Sequence, residues 1–182
     1  MGHLAGLVND AGYTLNRGAC PPGIQGYTDP GTCHVRVRDD VSSAQAVKTL
    51  AHDLAHIRAD HFARFPDYAV DLRYRGQAEI GAEPIAYIVT THAGMDSSAY
   101  AVPYVAGWAQ GDSSLVRECL GQVVTTSSAL IAAESSDTDA SPSAPPPSTS
   151  SLPRRAARSE QSQPSPSGWR SSAWHPRQRR GP

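Results

Sequence analysis

The sequence predicts an α+β domain over residues 1–133, followed by a disordered tail over residues 134–182. Three patterns lead to this expectation. Apolar and polar residues alternate from Thr32 to Arg38, the signature of a half-buried strand. Apolar residues recur at helical period over three longer stretches, Ser43 to His61, Gln77 to His92 and Ser113 to Ala133. After Glu134 the composition turns to Ser, Pro and Arg. Such a segment buries too little apolar surface to offset its ordering entropy.

The first element is a short helix with Leu4, Leu7 and Val8 on one side. A Gly- and Pro-rich loop from Gly18 to Gly26 follows. Gly26-Tyr27-Thr28 then forms one arm of a hairpin, Asp29-Pro30-Gly31 its turn, and Thr32 to Arg38 its second arm. Cys33, Val35 and Val37 face one way; His34, Arg36 and Arg38 face the other. Asp39, Asp40, Ser42 and Ser43 supply a polar break and a helix N-cap. The next helix buries Ala46, Val47, Leu50, Ala51, Leu54 and Ile57, and the loop Phe65 to Gly76 ends that region. The second long helix carries Ile80, Ile85, Ile88 and Val89, with Gly94 as its stop. Pro103 to Trp108 is an aromatic connection, and the last helix carries Val116, Cys119, Leu120, Val123, Val124, Leu130 and Ile131 in helical period.

Charge and cysteine content narrow the function classes. The net charge is −1, which gives no global case for nucleic-acid binding. The sign is uneven: residues 1–152 hold nine Lys and Arg against sixteen Asp and Glu, a balance of −7, and residues 153–182 stand at +6. The tail arginines Arg154, Arg155, Arg158, Arg177, Arg179 and Arg180 read as a solvated face, with non-specific nucleic-acid contact as a weaker alternative. Cys20, Cys33 and Cys119 are odd in number and widely spaced, as expected of reduced thiols in a cytoplasmic protein. No apolar run reaches the roughly 18–20 residues of a membrane span, and the N-terminus lacks the basic and apolar regions of a secretory signal.

The chemistry is concentrated in His52-Asp53-Leu54-Ala55-His56. Histidines at i and i+4 of a helix share a face one turn apart and can grip one zinc ion. A zinc site needs a third protein ligand, and Glu79 and Glu83, also four apart, are the candidates. With Glu79 as ligand, Glu83 becomes a carboxylate that orients a ligating imidazole. Asp53 stands where zinc proteases carry the general-base Glu. His61, about 140° round the same expected helix from His56, reads as a packed or solvated residue, and His34 as surface. Tyr100, Tyr104 and Trp108 read as core or cleft wall, with a Tyr hydroxyl donating to an oxyanion as the minor alternative.

Four stretches resemble, in order, the ImmA/IrrE-type zinc metallopeptidase domain, in the branch found behind ArdC-like antirestriction modules of actinobacteria. Lys48 to His56 resembles its KTLAHELAH helix, and Gly26 to Asp29 with Val35 to Arg38 its hairpin. Glu79 to Val89 resembles its EVEAESVAYVV helix, and Asp96 to Trp108 its DTSxYSFPYVAxW segment. The resemblance covers about residues 4–133. It implies a zincin-like, gluzincin-type fold, with a small hairpin sheet packed on an active-site helix and a second ligand helix. It also implies zinc held by His52, His56 and Glu79, with Asp53 in the base position.

Three departures from that pattern weigh on activity. Asp53 replaces Glu, and a carboxylate drawn back on the scale of 1 Å can cost about 10²-fold in rate. Gly81 replaces a Glu, at roughly 1 kcal/mol of helix stability. Pro84 lies inside the ligand helix, where a proline costs about 3 kcal/mol; a helix starting at Pro84 would leave Glu79 in a loop and make Glu83 the substitute ligand.

Two functions compete. One is a zinc-dependent peptidase acting on a protein or peptide, such as a regulatory protein, whose chain pairs with Thr32–Arg38 if that strand is the open edge. The other is a catalytically inactive metal-binding or protein-interaction domain; an antirestriction, DNA-associated accessory is a weaker variant of it.

Overall fold

The computed structural model describes residues 1–66, 72–96, 101, 105 and 113–139. Over these residues the chain is α+β, with one three-stranded sheet and a set of helices. In chain order the elements are α1 (Gly2–Asp10), β1 (Thr14–Gly18), β2 (Gly26–Asp29), β3 (His34–Arg38), α2 (Ser43–Arg58), α3 (His61–Arg64), α4 (Leu72–His92) and α5 (Ser113–Asp139).

The hairpin forms with Val35 and Val37 buried as the alternation predicts, but its second arm starts at His34 rather than Thr32, and Cys33, expected to face the same way as the valines, is exposed in the turn at φ 50°. β2 pairs antiparallel with β3, Thr28 opposite Val35, and Asp29 Oδ1 accepts from Gly31 N at 2.9 Å in the turn. Ahead of the Gly- and Pro-rich loop, Thr14–Gly18 adds a strand the pattern did not predict, β1, parallel to β3 with Leu15 opposite Val35. The sheet order is therefore β1-β3-β2. This corrects the expectation that Thr32–Arg38 could offer an open edge: β3 is central and paired on both sides, and β1 and β2 are the outer strands.

Val35 and Val37 point from the sheet into a core shared with Val8, Ala46, Leu50, Leu54, Ala82 and Ile85, each fully buried. Ser42 caps α2, its Oγ accepting from Gln45 N at 3.2 Å. Helix α2 packs on the sheet and on α4, and α4 packs on α5. Helix α2 stops at Arg58 rather than at His61. Asp60 takes a left-handed conformation (φ 54°, ψ 34°), and the chain turns into α3.

Helix α4 begins at Leu72, ahead of the expected Gln77, and runs through Pro84 without a break. Glu79 is therefore helical, and Pro84 costs the helix one N–H donor. Helix α4 ends at His92, followed by Gly94 at φ 80°, and Met95 N bonds back to Thr90 O at 2.9 Å. Helix α5 extends past the expected domain boundary at 133 to Asp139. Tyr100, Tyr104, Trp108 and the tail arginines lie outside the described residues. No described helix is long and apolar enough to cross a membrane.

Candidate metal centre

His52 and His56 lie one turn apart on α2, and Glu79 and Glu83 one turn apart on α4. The packing of these two helices buries all four side chains together. His52 Nε2 is 3.1 Å from His56 Nε2 and 3.2 Å from Glu79 Oε2. His56 Nε2 is 4.0 Å from the same oxygen. These three residues form a group that could hold a metal ion, each offering a ligand atom within 4.8 Å of the others.

Each imidazole is also held from behind. His52 Nδ1 is 3.0 Å from Glu83 Oε2, and Glu83 Oε1 is 3.3 Å from Lys48 Nζ. His56 Nδ1 is 3.2 Å from His61 Nδ1. Arg75 Nε stands 3.9 Å from Glu79 Oε1. Both histidines thus turn Nε2 toward the shared point and Nδ1 toward a partner, the arrangement that fixes tautomer and ring orientation at metal sites.

The electrostatics follow from burial and these contacts. Burial pulls the His52 pKa down, but the hydrogen bonds and charges of Glu79 and Glu83 outweigh it and push it up to about 10. Burial holds His56 well below its ordinary value against the pull of Glu79, so it is a neutral ring with a lone pair to offer. Burial and Arg64 bring His61 down to about 4. Burial pushes Glu83 upward, yet His52 and Lys48 hold it below the usual carboxylate range. Burial lowers Lys48.

The donor set fits a small divalent ion. Tetrahedral ligation at bonds near 2.0–2.1 Å separates donors by roughly 3.3–3.4 Å, and the three observed separations bracket that value. Two imidazoles and a carboxylate are donors that zinc and its first-row neighbours accept.

Asp53 takes a different place. It is fully buried, and a Cβ built on Gly26 would lie 3.1 Å from its Oδ2. Its carboxylate therefore lies against the first residue of β2, and it is not one of the three converging donors. His34 sits half-buried on the polar face of the sheet, 3.5 Å from Asn16 Nδ2. Cys20, Cys33 and Cys119 are free thiols.

No family model, curated protein or solved structure matches the chain.

Lys48, Arg75 and His61 also stand at the site, where the sequence pattern assigns them no role; His61 is packed, one of the two states expected of it. Lys48 precedes His52 by four residues and Arg75 precedes Glu79 by four, so helical spacing could have placed both beside the site. His61 gave no such signal. Its approach to His56 depends on the turn at Asp60, which spacing along one helix does not reveal.

Proposed function

We propose that the chain is a zinc-dependent metallopeptidase of the ImmA/IrrE type, with a zincin-like fold. The observation that carries this reading is the meeting of His52 Nε2, His56 Nε2 and Glu79 Oε2 between two packed helices, with each imidazole fixed at its far nitrogen. The four ordered motif resemblances supply the peptidase class. When bound, zinc supplies Lewis-acid chemistry, acidifying water and polarising a carbonyl. His52, His56 and Glu79 hold the ion. Glu83 and Lys48 fix the His52 ring, and Asp53, next to His52 in sequence, takes the general-base role. The peptide lies along β2, an outer strand whose first residue touches Asp53, so that main-chain pairing brings the scissile bond to the acid. Hydrolysis of a peptide library by the zinc-loaded protein, lost on chelation and regained with zinc, tests this reading; no cleavage by a stoichiometrically loaded protein rejects it.

One observation favours a second reading, a metal-binding or protein-interaction domain without catalysis. Asp53 is shorter than Glu by one methylene, and its carboxylate packs on Gly26. On this reading the ion stabilises the fold by linkage. Tight zinc binding with a raised melting temperature and no turnover distinguishes it.

A further inference from the structure

We propose that His61 is a positioning residue of the metal centre, and that Gly81 is the gap in α4 that admits it. The inference rests on the reading of His52, His56 and Glu79 as metal ligands.

His61 is a polar ring placed where packing alone would call for an apolar one. It is 1% exposed, on a four-residue helix, and its Nδ1 meets His56 Nδ1 at 3.2 Å. The two rings are edge to face, with centroids 5.1 Å apart. A contact between two Nδ1 atoms is a hydrogen bond only if one donates and the other accepts. With His56 Nε2 committed to an ion, the His56 proton sits on Nδ1 and is donated to His61. His61 then carries its own proton on Nε2, and Gln122 of α5 interacts with the ring. Gln122 also donates from Nε2 to Ala59 O and accepts from Arg64, so it anchors the corner that turns His61 inward. The result is a corner, anchored to α5 by Gln122, that sets His61 behind the His56 ring.

Gly81 completes the arrangement. A Cβ at this position would lie 3.1 Å from both Cε1 and Nε2 of His61. Any side chain there crowds the ring, so the residue that weakens α4 is the one that lets His61 reach His56. Asp60 in its left-handed conformation does the same from the other side, by turning the chain between α2 and α3. Glu83 holds His52 from behind, and His61 is its counterpart for His56.

The test compares wild type with His61→Phe, His61→Asn and Gly81→Ala, using Zn2+ affinity by chelator competition and the visible spectrum of the Co2+-loaded protein. Phe fills the ring space but accepts no hydrogen bond. Asn places an amide oxygen near the position of Nδ1. Gly81→Ala displaces the ring from another helix while favouring helix formation. We expect His61→Phe to lose about 10- to 100-fold in zinc affinity, with a weaker and shifted cobalt band. His61→Asn should recover most of that loss, and Gly81→Ala should fall between Phe and wild type. A purely structural His61 would lower the melting temperature of the variants and leave the affinity and spectrum of the folded fraction unchanged. Unchanged affinity in both His61→Phe and Gly81→Ala overturns this inference and spares the metal centre. Absence of zinc and cobalt binding by wild type overturns both.

Discussion

Nδ1 of His52 lies 3.0 Å from Oε2 of Glu83, a buried contact between the two helices that carry the candidate ligands. With Glu79 on its other nitrogen, the ring is gripped by two carboxylates, which push its pKa up to about 10. The protonated form of His52 carries a proton on Nε2, the atom that would face an ion.

Loading must displace that proton. Binding one zinc at pH 7.5 is expected to release about one proton, since His56 is already neutral there. Dye-monitored titration in weakly buffered solution measures it. No proton release on binding would contradict a protonated His52 in the metal-free protein.

The peptidase reading makes Asp53 the limiting residue. Asp53→Glu lengthens the acid by one methylene and is expected to raise cleavage of a quenched peptide by up to about 10²-fold, while Asp53→Asn abolishes it. Equal rates for Asp and Asn would remove this residue from the chemistry.

Gly26 is fixed by close approach. A Cβ there would lie 2.5 Å from Thr49 Cγ2 and 2.7 Å from Arg36 O, one of them backbone that cannot swing away. Gly26→Ala should cost about 1–3 kcal/mol, read as a lower urea midpoint. An unchanged midpoint would show that β2 does not press on α2.

Acid should destabilise the metal-free fold. Burial lowers His61 to about 4 from an unfolded value near 6.5, so between these limits the unfolded chain holds more protons and stability falls as pH falls. The full shift corresponds to roughly 3 kcal/mol, and His56 acts in the same direction. His52, raised to about 10, contributes stability that is complete below 6.5 and lost as pH climbs through 10. Urea midpoints from pH 4 to 10 should therefore peak near 6.5, with a shallower acid limb in His61→Asn. A midpoint that rises toward pH 4 would contradict the buried, neutral His61.

Much of the arrangement could be read from spacing, because spacing is what sets a helical face. His52 with His56, and Glu79 with Glu83, are pairs at i and i+4, and the α2–α4 packing brings them together. The alternation of β3 was likewise visible, since Val35 and Val37 are buried with polar neighbours between them. Strand β1 was not visible. Thr14–Gly18 holds one aliphatic residue and is largely exposed, and its partner β3 is distant in sequence. The position of His61 hung on one left-handed residue, Asp60, for which the sequence offers no glycine as a signal. The helix cost of Gly81 is legible in the sequence, whereas the space it leaves for the His61 ring depends on tertiary packing.

Zinc content of the purified protein, for wild type and for His56→Ala, tests the central claim most directly. The account predicts one equivalent per chain in wild type and far less than one in the variant, with the fold retained. No zinc in wild type after loading, or the same content in both, would contradict it.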